Sequence, residues 1–118
     1  MNEILFRGKR IDSNEWVYGS LIAWPDGEMY ICVFDTDSEG RKINVIPETV
    51  GQYVGLNDKN EVKIFEGDKD RNGGIVRYQQ AHCRFIVDSD EYGDYEITES
   101  NCNKYEIIGN IHDKKATT

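Results

Sequence analysis

The sequence has few of the residues on which several common kinds of protein depend. Its 118 residues include only two prolines, two histidines and three cysteines. Cys32, Cys83 and Cys102 are an odd number and form no Cys-x-x-Cys pair, so neither a disulfide framework nor a cysteine zinc knuckle is expected. The sequence has no run of apolar residues long enough for a membrane span and no secretory leader, so the predicted location is the cytoplasm.

Positive charge is also scarce. The chain has 14 Lys and Arg against 22 Asp and Glu, a formal net charge of -8. The net charge therefore argues against nucleic acid as a partner, because affinity for phosphate depends on cationic side chains that release counterions. Residues 85–103 contain no Lys or Arg but carry Asp88, Asp90, Glu91, Asp94, Glu96 and Glu99. This stretch is expected to form a solvated acidic hairpin, or else a surface that faces a basic partner.

Helical periodicity is nearly absent, which predicts a mostly β fold with little helix. The apolar runs are short, rich in Val, Ile, Tyr and Phe, and separated by Gly, Asn or Asp. Runs 4–11, 16–24 and 28–34 predict an N-terminal β-meander. A fourth strand is predicted over 42–46 and ends at Pro47, which cannot donate to a central ladder.

Beyond Pro47 the pattern predicts one short helical turn and a second group of strands. These strands are predicted at GQYVGL, VKIFEGD, GIVRY, CRFIVDS, YEITES and YEIIGNI. Short strands that meet at glycines are typical of a small, strongly bent barrel. We therefore expect one domain over residues 1–118, with a meander over 1–47, a partly open barrel over 48–113 and a frayed tail over 114–118.

Five of these stretches together carry a family resemblance. The stretches ILFRGKR, EWVYGSLI, IPETVGQYVGLNDKNEVKIFEGD, GIVRY and EIIGNIHD occur in an order that resembles the YopX family of bacteriophage and prophage proteins. The likeness runs from Glu3 to Asp113. It implies a meander packed on an SH3-like barrel, a phage or prophage origin in a bacterial cytoplasm, and no established activity.

One departure from that family concerns the residues after Asp68. Similar sequences continue from Glu-Gly-Asp into an apolar strand, whereas this chain has no apolar residue until Ile75. Either the barrel is shortened here, or the sequence lacks a stretch that the full chain contains. The second alternative is favoured because deletion of one strand would expose two sheet edges, which invites aggregation.

A group of acidic residues suggests metal chemistry. Glu66, Asp68 and Asp70 are candidates for a metal-assisted hydrolase, an alternative function from another class. Asp68, Asp70 and Asn72 also fit the first ligand positions of a calcium loop. The twelfth position, however, is Gln79, whose neutral amide cannot supply the bidentate carboxylate that completes the cage. We therefore predict no metal site, no catalytic residue and no cofactor, and expect Asp68 to lie in a solvated turn and to accept backbone hydrogen bonds there.

Two further patterns are better explained by structure than by chemistry. The stretch GQYVG, between Gly51 and Gly55, lacks the Gly-Lys-Ser/Thr ending of a phosphate loop, so its glycines are expected to bend strands. His82 and Cys83 are adjacent, and on a strand they would point to opposite faces. They are therefore not expected to form a nucleophile and base pair, and Cys83 is expected to pack inward.

A second alternative function is nucleic-acid binding through the first predicted strand. Arg7, Lys9 and Arg10 form the candidate basic patch, and Trp16 could stack on a base. This alternative requires a coherent basic face with exposed rings, despite the negative overall charge.

Surplus aromatic residues favour a binding role. Trp and Tyr are enriched at interface hot spots, and the meander has more of them than its own core needs. If two or three of these rings line a groove between meander and barrel, that groove would bind a peptide or a second copy of the chain. The acidic stretch from Asp88 to Glu99 would then steer a basic partner. The predicted function is a small non-catalytic binding or accessory module. The residues predicted to contact the partner are Trp16, Tyr18, Trp24, Tyr53, Asp90, Glu91 and Asp94.

Overall fold

The computed structural model describes residues 3–34, 40–91 and 93–112, and these residues form eleven β-strands. The strands are β1 Phe6–Lys9, β2 Trp16–Ala23, β3 Met29–Phe34, β4 Gly40–Val45, β5 Gly51–Asn57, β6 Lys63–Phe65, β7 Asp68–Asp70, β8 Ile75–Gln79, β9 Arg84–Ser89, β10 Gly93–Glu96 and β11 Ile107–Asn110. The helical segments within these ranges are three 3₁₀ turns, Pro47–Thr49, Gln80–His82 and Cys102–Lys104. The mostly β prediction is confirmed. Across the described ranges, no helix is both long and apolar enough to cross a membrane.

The chain divides into two compact units, Met1–Tyr53 and Val54–Thr118. In the first unit, β1 to β4 form the predicted antiparallel meander, with β5 pairing on the other side of β1. The Ile11 N–H also donates to the Asn44 carbonyl at 3.2 Å, so the end of β4 returns to the chain that follows β1. Ile31 and Val45 are completely buried and form the centre of this unit.

The second unit begins within β5 and contains the second sheet. After β6, which neighbours β5, five antiparallel strands follow in the order β10-β9-β8-β7-β11. A core of Ile64, Val76, Val87 and Ile97 lies in this unit. The described strands form open sheets, so the SH3-like barrel and the division at residue 47 stay predictions.

The short strand β7 corrects the prediction made for the residues after Asp68. Asp68 and Asp70 lie on a strand that pairs with β8 on one side and β11 on the other. Both side chains are buried, and the Phe65 N–H donates to Asp68 Oδ2 at 2.8 Å. The lack of apolar residues before Ile75 therefore does not mean that a strand is missing here. Carboxylates that accept backbone hydrogen bonds take the inward positions that apolar side chains usually fill.

Gly19, in the middle of β2, permits a close approach of β3 and supports a first prediction. A Cβ atom at this position would lie 2.2 Å from the backbone oxygen of Cys32. Because backbone must move to relieve that overlap, Gly19→Ala is expected to lower the free energy of unfolding by about 1 to 3 kcal/mol. Urea unfolding followed by tryptophan fluorescence would measure the loss, since Trp16 and Trp24 belong to the same unit as Gly19.

Gly109→Ala is the matched control, because a Cβ atom at this strand glycine would meet nothing within 4 Å. Its free energy of unfolding, followed by circular dichroism, should stay the same or rise slightly, since alanine restricts the unfolded chain. Equal losses in the two variants would show that the approach of β3 to Gly19 does not matter.

Candidate functional site

A groove of about 380 Å³ opens on the second unit and is the candidate site. Its walls come from the β7–β8 turn, from β9 and β10, and from the segment around the last 3₁₀ turn. The lining side chains that can contact a ligand include Asp70, Asn72, Tyr95, Asn101, Lys104 and Tyr105. Two aromatic rings, a cation and several hydrogen-bonding groups thus share one concave surface, a composition typical of binding sites.

Asp70 holds the two walls of the groove together. Its Oδ1 accepts the backbone N–H of Glu106 at 2.9 Å, and its Oδ2 accepts that of Asn72 at 3.2 Å. The Arg71 N–H also donates to the Glu106 carbonyl at 2.9 Å. Because these bonds join the β7–β8 turn to the chain beside Tyr105, they set the position of the Tyr105 ring in the groove.

Asp58 fixes the same segment from the opposite side. Its Oδ2 accepts the Ile107 N–H at 2.8 Å, while its Oδ1 accepts the N–H groups of Asn60 and Val62 at 2.8 and 3.0 Å. Burial acts to raise the pKa of Asp58, but these three donors together outweigh it and leave that pKa below its ordinary value. Asp58 is therefore a charged hub at neutral pH.

A surface ion pair supports this arrangement. Lys59 Nζ lies 2.9 Å from Glu106 Oε1, and this contact lowers the pKa of Glu106. The Lys59 N–H donates to the Tyr105 carbonyl at 3.1 Å as well. Residues 105–107 are thus bonded to the turn at 58–62 and to the turn at 70–73, which makes this wall of the groove a supported surface.

Tyr105 is suited to contact a ligand as a neutral group. Burial raises the pKa of the Tyr105 hydroxyl, and the charge of Asp70 raises it further. The ring of Tyr105 is half-buried, whereas that of Tyr95 is 53% exposed. At neutral pH the Tyr105 hydroxyl is a hydrogen-bond donor, and the two rings offer apolar area of low conformational entropy.

The acidic stretch forms the β9–β10 hairpin next to the groove. Arginines match part of its charge: Arg77 lies 3.2 Å from Asp88, and Arg84 lies 3.3 Å from Glu96. Asp94 is the strand partner of Asp88, and the Asp88 carboxylate raises the pKa of Asp94, because it accepts a hydrogen bond from the protonated form and repels the ionised form. The hairpin therefore keeps excess negative charge at Asp94, and Asp90 and Glu91 add exposed carboxylates at its turn.

The acidic residues proposed for metal chemistry do not come together. Asp68 is 2% exposed, so the expectation that it lies in a solvated turn was wrong, although its carboxylate accepts a backbone N–H as expected. Its carboxylate and that of Asp70 accept backbone N–H groups, whereas Glu66 is half-buried. Within residues 3–34, 40–91 and 93–112, no three His, Cys, Asp or Glu side chains form a group that could hold a metal ion.

Cys83 was expected to pack inward, and this expectation was wrong. The chain leaves β8 through the 3₁₀ turn Gln80–His82, and Cys83 then adopts a left-handed conformation with φ of 51°. His82 and Cys83 are therefore not consecutive positions of one strand, and the Cys83 thiol is exposed. A hydrogen bond between His82 Nδ1 and the side chain of Gln79, at 3.0 Å, orients the imidazole within this turn.

The predicted basic patch makes its contacts within the first unit. Arg7 is 6% exposed, and its guanidinium lies 4.4 Å from the centre of the Trp16 ring. Lys9 approaches the same ring at 5.4 Å, and Arg10 pairs with Asp12 at 2.9 Å. Stacked and paired cations of this kind stabilise the strand pair β1–β2 and present little free charge to a phosphate backbone.

The aromatic residues predicted to contact a partner occupy different environments. Tyr53 is 7% exposed and packs in the interior, so its ring is not available to a partner. Tyr18 and Trp24 are 46% and 49% exposed, and Trp16 is half-buried against Arg7. Within the first unit, only part of the predicted set lies at the surface.

The pattern-based reasoning missed Tyr105, Asn101 and Lys104, which line the groove. They follow the acidic stretch in a segment without periodicity, and no local signal marks them as part of a site. An aspartate that opens a turn, as Asp58 does, is typical of local backbone capping. An aspartate at the start of a turn predicts the local bonds from the Asn60 and Val62 N–H groups, but it does not predict the bond from the distant Ile107 N–H.

The family model described as YopX protein matches residues 5–115, nearly the whole chain. No curated protein matches the chain with significance.

Proposed function

Since the chain belongs to the YopX family, we propose that it is a small non-catalytic binding or accessory module whose partner is a basic protein. The observation that carries the proposal is the groove of the second unit, which lies beside an acidic hairpin and contains two tyrosine rings. The proposal includes a place in a bacterial cytoplasm, as the phage or prophage origin implied by the family resemblance suggests.

The two parts of this surface would contribute differently to binding. Tyrosine rings on a supported wall supply contact area without a large loss of conformational freedom, as at interface hot spots. Exposed carboxylates at the hairpin turn attract a basic partner over several ångströms and raise its association rate, an effect that salt screens. The proposal therefore predicts binding that weakens as salt is raised.

The steering part is tested with a fluorescein-labelled octalysine peptide. Asp90→Lys combined with Glu91→Lys is expected to weaken its binding about fivefold or more at low salt, because this double variant reverses the charge of the hairpin turn. Fluorescence anisotropy at roughly 25, 100 and 300 mM NaCl, over which the Debye length falls from about 20 to about 6 Å, measures the affinities.

The matched control carries Glu15→Lys and Glu48→Lys, two exposed positions of the first unit that give the same change in net charge. If both double variants weaken octalysine binding equally, only net charge matters and the proposed site is wrong. A loss confined to the hairpin variant supports the proposal.

A further inference from the structure

Strand β10 is an edge of the five-stranded sheet. Within the part of the chain that the structure describes, its neighbour is β9, and all four of its residues are exposed. An edge strand presents backbone N–H and C=O groups that can pair with another chain.

The register identifies which backbone groups face outward. The Ile97 N–H donates to the Phe85 carbonyl at 3.1 Å, and in the same register Tyr95 pairs with Val87. Hydrogen-bonded pairs alternate along an antiparallel ladder, so Tyr95 bonds to β9 while the backbone groups of Asp94 point away from it. Farther along, the Asn101 side chain donates to the Glu96 carbonyl at 2.8 Å and closes the end of this edge.

The two faces of β10 have different chemistry. Directly opposite residues share a face, so Tyr95 lies on the side of Val87, where the groove opens. Asp94 lies on the other face with Asp88 and Glu96, where two arginines, Arg77 and Arg84, stand beside three carboxylates. One face thus offers an aromatic ring, and the other offers excess negative charge.

We propose that β10 accepts an extended segment of the basic protein partner as an added strand, with a lysine or arginine opposite Asp94 and an apolar side chain opposite Tyr95. This inference rests on the proposed function, and it adds the binding mode and the sequence pattern of the segment. In strand addition, backbone hydrogen bonds supply affinity and alternate side chains supply specificity. The period of two follows because successive side chains of a strand point to opposite faces.

Charge complementarity selects this occupant over an acidic or neutral segment. A cation opposite Asp94 would pair with the carboxylate that shares its environment with Asp88 and would relieve their repulsion. An apolar side chain opposite Tyr95 would cover a ring that is otherwise 53% exposed. The stretch open to addition is short, so the segment pairs over only a few residues.

The test compares labelled peptides of one composition. An alternating Lys-Val octapeptide is expected to bind about fivefold or more tightly than a block peptide with four lysines followed by four valines. N-methylation of every second backbone amide then separates strand addition from simple charge attraction. One peptide is methylated on its lysine amides (the lysine phase) and the other on its valine amides (the valine phase). One of the two should lose about fivefold or more in affinity and the other little, because only one set of amides faces β10. Loss on the lysine phase indicates antiparallel addition, and loss on the valine phase indicates parallel addition.

Variants of the protein complete the experiment. Asp94→Lys is expected to abolish the preference for the alternating peptide, whereas Asp90→Lys should weaken the alternating and block peptides equally. Asp94→Lys is expected to fold, because the reversal removes the repulsion with Asp88.

Equal affinity of both methylation phases would overturn strand addition while the octalysine result still supports the proposed function. If the double variant Asp90→Lys with Glu91→Lys bound octalysine as tightly as the wild type, the binding surface itself would be overturned.

Discussion

Replacement of Asp58 by alanine is expected to lower the free energy of unfolding by about 3 to 5 kcal/mol, because three backbone N–H groups lose a charged acceptor. Asp58 is 4% exposed, so water can replace the carboxylate only in part. The Ile107 donor is the most costly to leave unpaired, since its bond joins segments 49 residues apart. Urea unfolding at neutral pH, followed by circular dichroism, measures the loss.

Asp58→Asn separates shape from charge. The asparagine carbonyl can still accept from Asn60 and Val62, but its amide would face the Ile107 N–H, so a loss between those of wild type and Asp58→Ala is expected. Asp26→Ala is the matched control, because Asp26 caps a single N–H, that of Glu28, in an exposed turn. If Asp58→Ala unfolds as easily as Asp26→Ala does, the hub that we describe is not structural.

The stabilisation from Asp58 should depend on pH with a defined sign. Its folded pKa lies below the unfolded value of about 3.9. The contribution is therefore complete above that unfolded value and is lost as the pH falls through the folded pKa. Accordingly, the gap in unfolding free energy between wild type and Asp58→Asn should narrow as the pH is lowered below about 4.

Ile64→Ala is expected to cost about 2 to 5 kcal/mol of unfolding free energy, because it leaves a cavity among the side chains packed around it. Ile64 is 1% exposed and forms a cluster with Val76, Val87 and Ile97. Ile64→Val, which removes one methylene group, should cost about 0.5 to 1.5 kcal/mol. The same urea unfolding experiment measures both variants.

Val62→Ala provides the comparison, since Val62 lies two residues away and is 46% exposed. Its effect should stay within about 0.5 kcal/mol, the usual range for surface substitutions. If Ile64→Ala costs no more than Val62→Ala, the core of the second unit is not where the structure places it.

The strands of the meander could be predicted because their signal is local. Alternating residues between 16 and 24 indicate a strand with one face packed, and the Pro25–Gly27 turn then directs the chain back. The structure has β2 at Trp16–Ala23 and β3 at Met29–Phe34, within a residue or two of the predicted runs. Strand β7 was missed because a strand of Asp, Lys and Asp has no apolar alternation to detect.

The negative charge of the acidic hairpin was visible in the sequence, but the arginines that neutralise part of it were not. Arg77 and Arg84 lie outside the stretch that lacks cations, and only the strand register brings them to Asp88 and Glu96. The same register places Asp94 opposite Asp88, which concentrates the remaining negative charge on one face of β10. The candidate site thus depends on pairings between strands.

By itself, the order of amino acids determined that this chain is mostly sheet, where most strands begin and end, and that it belongs to a known family, because apolar alternation and turn residues act over a few neighbouring positions. Only the tertiary structure decided that Asp58, Asp68 and Asp70 are buried acceptors and that Tyr95 and Tyr105 line one groove. An aspartate looks the same in a solvated turn and in a buried cap. Its role depends on which N–H groups the fold brings to it. The Glu106 N–H comes to Asp70 from 36 residues away, and the Ile107 N–H comes to Asp58 from 49 residues away.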